Sequence, residues 1–268
     1  MSQRAWSVIV DRAGTIVRSY ATGVTLRQLF YRLVSDGTLP NTTSAYKQLS
    51  ARTAEARRRG RFPDLIDRGR TIHRVTTFAD HDDARAWLAQ VYRRDRTEGQ
   101  DVSLYLGVEK AGIVEQLEAS FGDRGMPILA LSGYSSQTYV DEVAEDVSRT
   151  SRPAVLLYAG DFDPSGEDID RDFVVRTGCF DKVIRVALNA EQVDEYDLPP
   201  IPGKATDSRA AGFVARHGSL VQVELDALAP DVLRRLFDYA IAEWWDVSTF
   251  ATVLEREALE RSQLEAQS

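Results

Sequence analysis

The sequence predicts an α/β protein in which a mostly helical N-terminal part precedes a parallel sheet clothed in helices, with a helical tail. Three observations predict it. Across residues 102–188, apolar runs of strand length alternate with segments of helical spacing, the rhythm of a parallel sheet with crossover helices on both faces. Before residue 97, apolar residues recur only at helical spacing. Charge is divided in the same way. Residues 1–75 carry 14 Lys+Arg against 5 Asp+Glu, and the rest carry 19 against 36, within a formal net charge of −8. Such asymmetry suits a basic binding module joined to an acidic one. Unevenly scattered solvated charge is the plainer alternative.

Each element follows from local signals. Trp6, Ile9, Val10, Ala13 and Val17 set a helix over residues 3–20. Thr25 caps a second helix through residue 34, with Leu26, Leu29, Phe30 and Leu33 as its apolar face. Residues 35–41 read as a turn. Thr42 or Thr43 then caps a helix through Arg59, stopped by Gly60 and Pro63. Helix, short turn and basic helix form the helix-turn-helix pattern. Lys47, Arg52, Arg57, Arg58 and Arg59 are its candidate DNA contacts, although such a helical pair can also be purely structural. A further helix is expected over residues 82–95, and the polar stretch 97–101 reads as a domain junction.

Strands are then expected at 102–108, 127–131, 154–159 and 182–188, with helices at 110–121, 137–149 and 165–176 between them. Leu198-Pro199-Pro200-Ile201-Pro202-Gly203 reads as a rigid surface loop. Pro230 opens a tail helix at its first turn, and Ser248 is expected to cap the last one. Trp244-Trp245, in an apparent helix, suit a core or a subunit contact. The expected domains are 1–97, 101–222 and 223–268.

Composition excludes several classes. No apolar run approaches the roughly 18 residues of a membrane span, and no membrane partner is expected. Residues 1–10 carry Arg4 and a short apolar stretch without a small-residue cleavage site, so no signal peptide is expected. Cys179 is the single cysteine, which rules out an intramolecular disulfide and a cysteine-rich zinc site. A reducing cytoplasm fits. His73, His81 and His217 are scattered and suit surface or structural roles.

The chemistry is expected where strands end, because ligands of an open parallel sheet bind beyond the carboxyl ends of its strands. One strand runs directly into Glu109 and another into Gly160-Asp161-Phe162-Asp163. Residues two apart on an extended chain point the same way, so Asp161 and Asp163 can converge on one ion. Mg²⁺ takes hard oxygen ligands and keeps much of its water, so two or three carboxylates suffice. Pro164-Ser165-Gly166 then opens a helix whose N-terminus favours phosphate. An acid at a strand end can also do no more than cap the next helix. Glu167 and Asp168 are read as outer acids of the site or as charges favoured near a helix N-terminus.

Three motifs in order, Leu104-Tyr105-Leu106-Gly107-Val108-Glu109-Lys110, Leu131-Ser132-Gly133-Tyr134-Ser135-Ser136 and Asp161-Phe162-Asp163-Pro164-Ser165-Gly166, resemble the Toprim domain. More narrowly they are similar to the A subunit of topoisomerase VI and its relative, the meiotic double-strand-break transesterase. The resemblance spans roughly residues 102–188 and implies that Glu109, Asp161 and Asp163 hold Mg²⁺, with Mn²⁺ as a substitute. Thr25-Leu26-Arg27-Gln28-Leu29-Phe30-Tyr31 resembles that family's CAP-like winged-helix segment, which implies Tyr31 as nucleophile with Arg27 four residues before it. At i and i+4 the two share a helix face. A guanidinium beside a phenol favours phenolate and grips phosphate. The chain looks shorter than the usual family subunit. Its stretches Lys204-Ala205-Thr206-Asp207-Ser208-Arg209 and Val223-Glu224-Leu225-Asp226-Ala227-Leu228-Ala229-Pro230 look like stand-alone bacterial and phage forms.

The resemblance implies cleavage of double-stranded DNA by Tyr31, aided by Arg27, Glu109 and the metal. It also implies a homodimer in which Tyr31 of one subunit meets the acids of the other, and a separate ATPase subunit as a further partner. Two alternatives stay open: a Toprim nuclease using metal-activated water, and a non-catalytic DNA-binding or partner-recruiting module.

Overall fold

The computed structural model describes residues 3–20, 23–66, 75–202 and 206–266. His73, Gly203, Lys204 and Ala205 lie outside the described residues. Three helices open the chain: α1 (Gln3–Ser19), α2 (Leu26–Ser35) and α3 (Thr43–Arg58). They close around Trp6, Ala13, Leu29, Leu33 and Leu49, all buried. Thr25 caps α2 in a reciprocal box with Gln28: its hydroxyl accepts from the Gln28 amide at 3.2 Å, and the Gln28 side chain accepts from the Thr25 amide at 2.9 Å. Thr42, not Thr43, caps α3.

The fourth helix, α4 (His81–Val91), is shorter than expected. Tyr92 leaves the helix in an extended conformation, and Arg94 and Arg96 run across to the tail instead. There they pair with Glu260 and Glu257 at 2.6 Å each. Residues 97–101 form a pinned turn in which Thr97 and Gln100 are buried. The Gln100 side chain exchanges two 2.8 Å hydrogen bonds with the Asp246 backbone.

Four parallel strands make the sheet: β1 (Ser103–Val108), β2 (Ile128–Ala130), β3 (Ala154–Ala159) and β4 (Lys182–Ala187), in the order β2-β1-β3-β4. Strands β1 and β3 are buried along their full length, which is why they read as unbroken apolar runs. Alternate side chains split between two cores. Leu104, Leu106, Val155 and Leu157 face α5 (Ala111–Phe121). Tyr105, Leu156 and Tyr158 face α6 (Gln137–Ser148) and α7 (Pro164–Thr177).

The remainder differs most from expectation. Helices α8 (Ala190–Glu195) and α9 (Ala210–His217) follow β4. The proline-rich stretch contains a short strand, β5 (Ile201–Pro202), paired antiparallel with β6 (Val221–Gln222). Helix α10 (Pro230–Ala242) opens at Pro230 as expected and joins the β1/β3 core through Leu233, Phe237 and Ile241. The last helix, α11 (Val247–Ala266), contains Ser248 rather than starting from it. Asp246 takes the capping role, accepting from the Ser248 amide at 2.7 Å and the Thr249 amide at 3.2 Å. Trp244 and Trp245 lie between α10 and α11, outside both helices, packed against the core. Helix α11 packs on α4, so tail and N-terminal part are in contact. No helix among the described residues is long and apolar enough to cross a membrane.

Leu106, fully buried in the central strand pair, supports the face that carries α5. Leu106→Ala is expected to lower unfolding free energy by about 2–5 kcal/mol, the range for buried leucine truncation. Urea denaturation monitored by circular dichroism measures it.

Candidate functional site

The acids meet at the carboxyl edge of the sheet because β1 and β3 are neighbours in register, with Val108 beside Ala159. The residue that follows β1 is Glu109, whose carboxylate accepts from the Asp161 amide at 2.8 Å. Asp163 caps α7 by accepting from the Gly166 amide at 2.7 Å, so the capping alternative holds for one of its oxygens. Gly166 is required here: a Cβ would stand 2.3 Å from the Asp161 carbonyl oxygen. The other Asp163 oxygen accepts from the Gln222 amide group.

A second acidic segment completes the site. Phe162 and Val223 form an antiparallel bridge, with amide-to-carbonyl distances of 2.9 and 3.0 Å, which lays residues 222–226 beside 161–163. The Leu225 amide donates to Asp161 Oδ1 at 2.7 Å. Glu224 and Asp226 thereby join Glu109, Asp161 and Asp163, two carboxylates that sequence reasoning did not place in the site. Their signal was present in Val223-Glu224-Leu225-Asp226, but only the long-range bridge gives it meaning.

Two cations hold this cluster together. Lys110 Nζ lies 2.9 Å from Asp161 Oδ1 and 3.4 Å from Asp226 Oδ2, and it also bonds Glu224. Arg27, reaching over from α2, lies 2.6 Å from Glu224 and 3.2 Å from Asp226. Arg185 adds a 2.6 Å bond to the Asp161 carbonyl. Burial, with Glu109 and Glu224 close by, pushes the Asp161 carboxyl up to about 7 against the pull of Lys110. Burial, reinforced by Asp163, also raises Glu109. Burial opposes the charged form of Glu224 as well, but Lys110 and Arg27 outweigh it and hold that carboxyl low.

Among the described residues, no three His, Cys, Asp or Glu side chains are grouped ready to hold a metal ion. The Lys110 ammonium lies among Asp161, Glu224 and Asp226, and one oxygen of Glu109, one of Asp161 and both of Asp163 accept hydrogen bonds. The donor chemistry nevertheless fits Mg²⁺. The oxygens are hard, and the raised carboxyls of Asp161 and Glu109 reflect burial and crowded negative charge that a divalent cation relieves.

Arg27 and Tyr31 share one face of α2, with the guanidinium 5.8 Å from the ring centroid. Tyr31 is half-buried and packs against both the helical core and the sheet core. Burial and then Glu224 raise its phenol, while Arg27 and Lys110 pull it back. The tyrosine therefore already feels the acid cluster of its own chain.

The basic helix divides. Lys47 and Arg52 are exposed. Arg58 and Arg59 are each engaged by Glu55 at 2.6 Å. Arg57 turns inward, and its buried Nε has no hydrogen-bond partner. It lines a cleft of about 650 Å³ between α3 and the sheet edge, shared with Arg27, Glu109, Lys110 and Ser132. Elsewhere, His217 and Arg216 bond Glu167 at 2.7 and 2.5 Å, tying α9 to α7. Asp168 accepts from the Tyr134 hydroxyl at 2.5 Å. His81 is exposed beside Asp82.

Removing one partner from a buried ion cluster leaves charge uncompensated. Lys110→Met is expected to lower stability in EDTA by about 3 kcal/mol, and Mg²⁺ is expected to restore more of it than it adds to the unaltered protein. Thermal melting with and without Mg²⁺ measures both. No family model and no curated protein matches this chain, so the chemistry of the site rests on its own side chains.

Proposed function

We propose that this chain cleaves DNA in a Mg²⁺-dependent transesterification, on a plan like that of the topoisomerase VI A subunit. In this proposal residues 1–97 form a CAP-like winged-helix-like domain, 101–222 a Toprim domain and 223–268 a helical tail. One observation carries the proposal. Three stretches far apart in sequence, at Arg27 and Tyr31, at Glu109 and Lys110, and at Asp161 and Asp163, gather in one neighbourhood through Lys110, Glu224 and Asp226.

Tyr31 Oη bonds to phosphorus while the bond from phosphorus to the 3′-oxygen breaks. The phenol proton leaves to water, and the 3′-oxygen takes a proton from water. The products are a 5′-phosphotyrosyl link and a 3′-hydroxyl. Arg27 grips the phosphate and favours phenolate. Glu109, Asp161 and Asp163 would hold Mg²⁺ or Mn²⁺, which when bound supplies charge neutralisation at the phosphate. A two-fold homodimer on double-stranded DNA would set two such sites on opposite strands, and a separate ATPase subunit would be needed for strand passage.

A second reading, a nuclease using metal-activated water, is favoured by the raised phenol of Tyr31, since a phenol that keeps its proton is a poor nucleophile. Supercoiled plasmid incubated with Mg²⁺ or Mn²⁺, with and without protease digestion before the gel, separates the two. Asp161→Asn is expected to abolish metal-dependent cleavage while the melting curve stays cooperative. Tyr31→Phe is expected to abolish both cleavage and the protease-sensitive adduct. Wild-type cleavage by Tyr31→Phe without an adduct would replace the transesterase by the nuclease. No cleavage by the unaltered chain under any of these conditions would sink both.

A further inference from the structure

Tyr158 is a buried polar group that the proposed chemistry leaves unused. It lies on β3 between β1 and β4, fully buried, with Gly107 and Arg185 as its register partners. Its hydroxyl has no hydrogen-bond partner among the described residues. A buried hydroxyl left unbonded is costly, and phenylalanine would fill the same apolar layer without that cost. The other tyrosine buried in that layer, Tyr105, has a bonded hydroxyl, which donates to Asp146 at 2.9 Å.

Two glycines direct the hydroxyl toward the acids. A Cβ at Gly107 would stand 3.2 Å from the Tyr158 ring, and one at Gly160 would stand 2.5 Å from its hydroxyl oxygen. The ring therefore lies against Gly107 and ends at the residue before Asp161. Gly107 and Glu109 are two apart on an extended chain and face the same way, which puts the Glu109 side chain on the Tyr158 side of the sheet. Burial and then the Glu109 carboxylate raise the phenol, so toward that carboxylate the hydroxyl can only donate. Arg185, 5.6 Å from the ring centroid, is already engaged by Asp170 and by the Asp161 and Leu188 carbonyls. Glu109 uses one oxygen on the Asp161 amide, which leaves its second to be oriented.

We propose that Tyr158 is a positioning residue for Glu109: its hydroxyl donates to the carboxylate and fixes its orientation when Glu109 turns to a divalent cation. Hydrogen-bond partners of metal ligands typically contribute about 10–100-fold in metal affinity. The proposal rests on the reading of the acid cluster as a Mg²⁺ site, but its test reads metal binding and stability and not cleavage. The unbonded hydroxyl is a cost to the metal-free chain that is recovered when the cation binds. Its removal therefore acts with opposite sign on the two quantities.

Mn²⁺ is titrated into the full chain, without nucleic acid, by isothermal titration calorimetry, and thermal melting in EDTA is recorded beside it. Tyr158→Phe is expected to melt at or above the temperature of the unaltered chain in EDTA, yet to bind Mn²⁺ at least about tenfold more weakly. Tyr105→Phe, which loses a bonded hydroxyl, is expected to melt lower in EDTA and to bind Mn²⁺ as the unaltered chain does. Unchanged Mn²⁺ affinity in Tyr158→Phe, or an EDTA melting temperature that falls as in Tyr105→Phe, would overturn the inference. No Mn²⁺ binding by the unaltered chain would remove the metal site and the inference with it. Mn²⁺ binding that depends on Tyr158 in a chain that never cleaves DNA would leave the inference standing and remove the proposed function. Metal-dependent cleavage in a chain whose Mn²⁺ affinity ignores Tyr158→Phe would do the reverse.

Discussion

Negative charge at the carboxyl edge of the sheet is the constraint around which this molecule is arranged. Five carboxylates are gathered where β1 and β3 end. Burying carboxylates is costly unless they are paired and hydrogen-bonded. Lys110 meets Asp161, Glu224 and Asp226 at once, and Arg27 meets the last two from the other side. The N-terminal helices are therefore attached to the sheet partly through electrostatics. The buried amide pair of Gln28 and Gln116, which exchange hydrogen bonds of 3.0 and 2.8 Å, supplies the neutral part of the same attachment.

That arrangement was only partly legible in the sequence. Glu109, Asp161 and Asp163 could be placed because each follows a strand, and the strands announce themselves as buried apolar runs. Glu224 and Asp226 could not be placed in the same way. They reach the site through the Phe162–Val223 bridge, a long-range pairing that leaves no local periodicity behind. The four strands and the helices between them were legible for the same reason as the acids: unbroken apolar runs and 3.6-residue patterns are local signals. The short pieces after β4 were not, because α8 and β5 are too brief to show a period.

The basic helix teaches the same lesson at side-chain scale. Arg57, Arg58 and Arg59 are indistinguishable in sequence, yet successive helical residues turn by about 100°. Arg58 and Arg59 fall within reach of Glu55, while Arg57 falls on the cleft wall. Boundary errors have equally plain causes. Helix α4 stops at Val91 because Arg94 and Arg96 gain partners on α11 only if the chain extends. Asp246 displaces Ser248 as the cap because its carboxylate accepts from two amides, as well as from the Ser248 and Thr249 hydroxyls.

The position of Arg27 links attachment to chemistry. It sits four residues before Tyr31 on one helix face, yet its strongest contacts are with Glu224 and Asp226 rather than with the phenol. An incoming phosphate would compete for the same guanidinium donors, and a divalent cation would compete with Lys110 and Arg27 for the same carboxylates. In the proposed reaction cation and phosphate would therefore favour each other at this site, each taking up the charge that the other releases. Binding of either would loosen the hold of the acid cluster on α2, the helix that carries Tyr31. The interaction that attaches the helical part to the sheet is in this way also the one that ligands of the proposed reaction must rearrange.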